Sequence, residues 1–285
     1  MLHDLHMGVI GSGQMAEAMI KGLLNRDVIT PGHICASDPR QERGDELRDR
    51  FGIGFTKSNR EAVEGADIVI LSVKPQALPH VEPDLRAHIR PDALVLSIIA
   101  GARLRSLTTG LQHKALVRAM PNTPARIGEG ITVWIATKEV TDHQRLQARA
   151  ILEALGEEIY VDDESYLDMA TALSGTGPAY IFLVMEAMID AGVHMGFSRH
   201  VAEKLVLQTM RGSVDFARES GLHPAELRNQ VTSPGGTSAA AIYQLEKGAL
   251  RTVLSRAIWA AYQRSKQLGD LSEERYNDTD GDAGK

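Results

Sequence analysis

Gly8-Val9-Ile10-Gly11-Ser12-Gly13-Gln14-Met15-Ala16 is the stretch that decides the fold of this chain. A short apolar run ends in a G-x-G-x-x-A turn, and an amphipathic pattern opens directly behind it. Met15, Met19, Ile20, Leu23 and Leu24 recur at helical spacing across Gln14–Arg26. The next apolar run, His33–Ser37, reads as a second strand, so the order is strand, helix, strand. That order implies a right-handed crossover and a parallel pair.

Glycine spacing of this kind also arises in unrelated turns, and the context gives it weight. Gly11 permits the tight turn, Gly13 lets a phosphate approach the backbone, and Ala16 lets the helix sit close to the strand. The helix N-terminus then offers unpaired N–H groups to a pyrophosphate. Asp38 closes the second strand about 25 residues on, where a carboxylate would accept from a ribose diol. Arg40 and Arg43 stand close enough in sequence to pair with a 2′-phosphate instead, so both nicotinamide dinucleotides stay open. The candidate cofactor-binding residues at this end are Gly11, Ser12, Gly13, Gln14, Met15, Ser37, Asp38 and Arg40.

Further strands are expected at Asp67–Val73, Ala93–Ile99, Ala115–Ala119 and Ile131–Ala136. The first two of these are almost unbroken apolar runs, which suits parallel strands covered on both faces. The fold class is therefore α/β, with an N-terminal Rossmann-type doubly wound sheet over residues 1–162. After Val161 the strand-like runs stop. Pro178 opens a stretch to Met195 that is apolar almost all round, and Ser198–Ser220, Thr237–Lys247 and Ala249–Leu268 read as helices with stops at Gly221 and Gly248. So apolar a set of helices points to an all-helical dimerisation domain over 163–269. Asp270–Lys285 holds few apolar residues and reads as a solvated, disordered tail.

Composition narrows the partners. The 285 residues are 43% hydrophobic and 24% charged, with a formal charge of -6, so nothing draws the chain to nucleic acid or anionic lipid. A single cysteine, Cys35, excludes an intrachain disulfide and fits a reducing compartment. The start lacks a signal pattern, and no apolar run approaches the roughly 20 residues that span a bilayer. A cytoplasmic protein is expected, with neither membrane nor nucleic acid as partner. The His residues have no metal-ligand spacing, so no metal is expected.

Four more segments complete a pattern: Leu71-Ser72-Val73-Lys74-Pro75, Arg118-Ala119-Met120-Pro121-Asn122-Thr123-Pro124, Ala172-Leu173-Ser174-Gly175-Thr176-Gly177-Pro178-Ala179-Tyr180 and Val231-Thr232-Ser233-Pro234-Gly235-Gly236-Thr237. With the glycine fingerprint, and in this order to about residue 268, the chain resembles the pyrroline-5-carboxylate reductase family. The resemblance implies hydride transfer from NADPH or NADH to the C=N bond of 1-pyrroline-5-carboxylate, the last step of proline synthesis. It places Val73, Lys74, Pro75, Ala100 and Gly101 beside the nicotinamide half of the cofactor. Asn59 falls near the adenosine side and Glu164 on a cofactor-contacting position, although Asn59 also fits a helix cap and Glu164 a surface carboxylate.

The resemblance further assigns the loop Ser233–Ser238 to the substrate. Gly235, Gly236 and Thr237 would hold the carboxylate, with Ser233 in the same loop, and backbone N–H groups at a helix start suit that task. Ser238, where the family usually has threonine, is the candidate catalytic residue, its hydroxyl hydrogen-bonding the ring nitrogen. Thr176 stands in place of a common serine, and Asp38 in place of an uncharged residue. A dimer through the helical domain, or a larger ring of dimers, is implied, with Tyr180, Val184 and Met188 as interface candidates and activity dependent on assembly.

Two rivals stay open. Another two-domain reductase would need an acid such as Lys204 beside its carbonyl, and a dinucleotide-sensing scaffold would have no use for Pro234-Gly235-Gly236.

Overall fold

The computed structural model describes residues 2–282, with side chains through Glu274. Its strands are β1 (Met7–Ile10), β2 (Ile34–Ser37), β3 (Gly54–Thr56), β4 (Ile68–Leu71), β5 (Leu94–Ser97), β6 (Leu116–Met120), β7 (Gly130–Ala136) and β8 (Gly156–Tyr160). They form one sheet in the order β3-β2-β1-β4-β5-β6-β7-β8. Every neighbouring pair is parallel except β6 and β7. Strand order reverses at β1, between β2 and β4, which is the switch point where such sheets bind ligands.

The helices of this first unit cover both faces. They are α1 (Gln14–Asn25), α2 (Gln41–Phe51), α3 (Asn59–Val63), α4 (Leu78–Leu85), α5 (Leu104–Leu111), α6 (Asp142–Glu153) and α7 (Ser165–Ala170). Two apolar clusters result, one on each side of the sheet. Met19, Ile20 and Leu23 of α1 pack with Ile68, Ile70 and Leu152 in one, and Val69, Val95, Leu107 and Leu111 form the heart of the other. Burial on both faces explains why β4 and β5 read as unbroken apolar runs.

The helical half consists of α8 (Gly177–His194), α9 (Arg199–Ser220), α10 (Pro224–Gln230), α11 (Thr237–Lys247) and α12 (Leu250–Asp282). The chain divides into two compact units, one of residues 1–176 with 261–285 and one of 177–260. The second unit buries almost nothing of its own. Among its residues only Gly192, Ala202 and Val206 are buried, while Phe182, Leu183, Phe216, Tyr243 and Trp259 are exposed.

Two sequence expectations are corrected. Residues 270–282 are not a disordered tail: α12 continues through them, and Asp270 and Glu273 pair with Arg103. The rest of that expectation, 283–285, lies outside the described residues. The end of α12 groups with the first unit, which leaves 177–260 as a compact unit inside the expected helical domain of 163–269. Finally, Ser165–His194 is one continuous helix long and apolar enough, by length and composition, to cross a bilayer. The segment Thr171–Gly175, whose Thr171, Ser174 and Gly175 interrupt the apolar run, hides that length in the sequence. It is a π-helical turn that joins α7 to α8, with the Thr176 hydroxyl donating to Thr171 O at 2.8 Å.

Candidate functional site

The glycine turn stands at the C-terminal end of β1. Gly11 has φ +88°, and a Cβ there would stand 2.8 Å from Ser72 O and from Val73 Cγ1, so both backbone and space require glycine. Gly11 N donates to Ser37 O at 3.0 Å, and the Ser12 hydroxyl donates to the same carbonyl at 3.2 Å. Gly13 is the N-cap of α1 and supplies no side-chain cap, and nothing lies within 4 Å of where its Cβ would be. Gln14 and Met15 form the first turn. An uncapped helix start beside open space, at the switch point, fits a pyrophosphate.

Asp38 closes the second side of this turn. The residue is 7% exposed, and all of its acceptor directions are used. Oδ1 accepts from Arg40 N at 3.0 Å and Arg40 Nε at 2.9 Å, and Oδ2 accepts from Arg40 Nη2 at 3.1 Å and Ser12 N at 3.3 Å. Burial by itself pushes this carboxyl up, but the Arg40 fork and the two backbone N–H groups outweigh it and hold it below the usual carboxylate range. Arg40 remains 63% exposed at its side chain. Arg43 is different: it is 10% exposed, donates to Ser12 O at 2.7 Å, and is paired with Glu17 and Glu46. Arg43 therefore braces the fingerprint loop, and Arg40 is the guanidinium left at the surface.

Asn59 is not a cap. Ser58 caps α3, accepting from Glu61 N, while Asn59 Oδ1 accepts from the Ser37 hydroxyl at 2.8 Å and Asn59 Nδ2 donates to Asp84 at 3.3 Å. Asn59 and Ser37 thus form one side of the region beyond β2. Val73, Lys74 and Pro75 follow the C-terminal end of β4, with Lys74 and Pro75 exposed, and Ala100 and Gly101 follow β5. The switch-point geometry brings these groups to one edge of the sheet.

Glu164 is not a free surface carboxylate either. Its Oε1 accepts from Leu104 N, the first residue of α5, at 2.8 Å and from Arg118 Nη1 at 2.7 Å. Arg118 is 3% exposed on β6 and also lies 4.0 Å from Asp168, which accepts from the Ser265 hydroxyl at 2.6 Å. Arg118 belongs to the Arg118–Pro124 motif without an evident role there, and neither Asp168 nor Ser265 stands in any motif. Their separations in the chain leave no local pattern to find.

In the helical unit, Ser233–Ser238 forms the turn into α11. Gly235 has φ +72°, and a Cβ on Gly236 would meet Ser233 Oγ at 2.6 Å. Gly236 is the N-cap and contributes no side-chain cap, so the first-turn N–H groups at Thr237 and Ser238 point off the helix end. The Ser238 side chain is half-buried and Thr237 is exposed. Tyr180 and Val184 are half-buried on α8 and Met188 is exposed there, while Lys204 is exposed on α9.

Residues 164–268 match the family described as pyrroline-5-carboxylate reductase dimerisation, and residues 6–101 match the family described as NADP oxidoreductase, coenzyme F420-dependent. A pyrroline-5-carboxylate reductase of Pseudomonas aeruginosa is 43% identical over 262 residues, which is 92% of this chain and 96% of that protein. The Synechocystis enzyme of the same name is 40% identical over 267 residues, 93% of this chain and 99% of its own. Among solved structures, a pyrroline carboxylate reductase of Plasmodium falciparum with NADP bound superposes with a TM-score of 0.84 at 31% identity, covering 94% of this chain and 99% of that one.

Proposed function

The chain belongs to the pyrroline-5-carboxylate reductase family, and on that premise we propose that it reduces the C=N bond of 1-pyrroline-5-carboxylate to L-proline with NADPH or NADH. The observation that carries the substrate assignment is the Pro234-Gly235-Gly236 turn into the uncapped start of α11, within the matched dimerisation segment. Backbone N–H groups there can donate to a carboxylate without any basic side chain. Gly235, Gly236 and Thr237 take that role, with Ser233 shaping the turn.

The residues of the first unit fit a nicotinamide dinucleotide. Gly11, Ser12, Gly13, Gln14 and Met15 would hold the pyrophosphate, while Ser37, Asp38, Arg40 and Asn59 would surround the adenosine ribose. Val73, Lys74, Pro75, Ala100 and Gly101 would line the nicotinamide half, and Glu164 would be a further cofactor contact. When bound, the reduced nicotinamide supplies the hydride that adds to the imine carbon. The protein needs no strong acid or nucleophile, because a protonated C=N is already electrophilic; its tasks are alignment and exclusion of water. Ser238 orients the ring nitrogen through its hydroxyl, and the C=N electron pair comes to rest on that nitrogen.

The dimerisation segment supports self-association. We further take residues 163–269 as the dimerisation and substrate module, able to build a ring of dimers, and place the enzyme in the cytoplasm, where its single free Cys35 stays reduced. Loss of absorbance at the reduced nicotinamide band on adding pyrroline-5-carboxylate, run with NADH and NADPH in parallel, tests the proposal. No oxidation with either cofactor would refute it.

A further inference from the structure

The loop that follows β5, Ala100-Gly101-Ala102-Arg103, is fastened by the end of α12. Gly101 has φ +75°, and its Cβ position lies 3.1 Å from Leu268 Cβ, so the helix rests on the glycine. Arg103 then reaches across to α12 with both arms. Its Nη2 donates to Asp270 at 2.6 Å and its Nη1 to Glu273 at 2.8 Å, the two carboxylates standing one helical turn apart. Leu268 and Leu271 line a small cavity together with Pro75, Ala100 and Gly101. From the other side, Glu164 accepts from Leu104 N at the start of α5. The loop is therefore clamped between Glu164 and α12, and the α12 side of the clamp is ionic.

We propose that Arg103, Asp270 and Glu273 form a strap that positions the 100–103 loop for the nicotinamide half of the cofactor and so tunes cofactor affinity. The proposal rests on the reading that Ala100 and Gly101 line that site. Asp270 and Glu273 lie on α12 beyond the segment matched by the dimerisation family, which ends at residue 268. None of the three residues touches the reacting atoms. They act by holding a loop whose left-handed glycine leaves it free to move when unpinned. Arg103 is only 20% exposed at its side chain, which shields its two ion pairs more than ordinary surface pairs.

The test uses the full chain, with KM for the reduced cofactor and kcat measured separately for the wild type, Asp270→Asn/Glu273→Gln, Arg103→Gln, all three together, and Gly101→Ala. The expected result is an about three- to tenfold rise in cofactor KM for the double variant and for Arg103→Gln, with kcat held within about twofold. The triple variant should be no worse than either, because all act through one contact. Raising the salt to about 0.5 M should move the wild type toward the variants. An unchanged KM in Asp270→Asn/Glu273→Gln, or effects that multiply in the triple variant, would overturn the strap. Gly101→Ala separates the two layers. If it raises KM while the double variant does not, the strap alone fails; if it too leaves KM unchanged, the placement of the nicotinamide fails as well. Should Arg103→Gln not fold, the double variant at exposed Asp270 and its neighbour decides the matter by itself.

Discussion

The dinucleotide unit and the helical unit solve opposite problems. In the first, sheet and helices bury two apolar clusters, and the arginines near the cofactor edge are spent on carboxylates. In the second, a helix as apolar as α8 leaves Ile181, Phe182 and Leu183 exposed, and three small or medium residues are all that is buried. Leaving a Phe or Leu side chain in water forgoes about 1.5–3 kcal/mol each, so a surface with this many such residues is half of a core. The first unit supplies its own stability; the second must borrow it from another copy.

The contrast breaks most visibly if the helical surface is made unable to pair. Phe182→Asp places a carboxylate where the second copy would bury a ring, and burying an unpaired charge costs several kcal/mol. The variant should sediment as a monomer and lose proline-forming activity by at least about 100-fold, while cofactor binding to the dinucleotide unit persists. A stable, fully active Phe182→Asp monomer would show that the exposed face is not an interface. The next largest effect belongs to the proposed substrate turn. Ser238→Ala should lower kcat/KM by about 10- to 1000-fold, roughly 1.4–4 kcal/mol, with the dimer intact. Threonine at this position should restore or exceed wild-type activity, since the added methyl restricts the hydroxyl rotamer. Unchanged kinetics in the alanine variant would remove Ser238 from the mechanism.

Legibility in the sequence followed the same divide. Strands β1, β2, β4, β5, β6 and β7 and the helices α1, α8, α9 and α11 could be read because each carries a periodic pattern or a Gly/Pro stop within its own length. Strand β3 is three residues long, Gly54-Phe55-Thr56, and β8 carries Glu157 and Glu158 at the edge of the sheet, so neither shows an apolar run. At the candidate site the glycine turns were legible, since φ near +88° at Gly11 and +72° at Gly235 demands a residue type that sequence displays. The supports were not. Arg118 with Glu164 and Asp168, and Arg103 with Asp270 and Glu273, join residues far apart in the chain, and a charged residue announces its charge but not its partner. That is why α12 was expected to dissolve into a tail after Leu268.

Cofactor choice sharpens the account of the dinucleotide unit by a smaller margin. On the proposed cofactor placement, Arg40 pairs with Asp38 where the two cofactors differ, whereas Arg43 is committed to Glu17 and the Ser12 carbonyl. Removing the guanidinium with Arg40→Ala frees Asp38 to accept a ribose diol and to repel a 2′-phosphate. The ratio of kcat/KM for NADPH over NADH should fall by about tenfold. Asp38→Asn removes the repulsion and should move the same ratio upward by a similar factor. If neither substitution changes the ratio, the ribose does not lie against this pair.

The smallest effect concerns acid, and it tests whether the ionic bracing of the fingerprint loop contributes to folding at all. Burial pushes Glu17 up, but hydrogen bonds from Arg43 and Arg50 outweigh it, and its carboxyl, like that of Asp38, is held below its ordinary value. A carboxylate whose folded pKa lies under its unfolded pKa binds fewer protons folded than unfolded. Its contribution is complete above the unfolded value, near pH 4, and disappears as pH falls through the folded one. Thermal unfolding of the wild type should therefore weaken below about pH 4.5 more steeply than that of Glu17→Gln/Asp38→Asn. At neutral pH the double variant should melt lower by roughly 2–4 °C, and the two curves should converge in acid. Parallel curves would mean that these pairs are formed without benefit to the fold, leaving the apolar clusters on either side of the sheet to stabilise the dinucleotide unit alone.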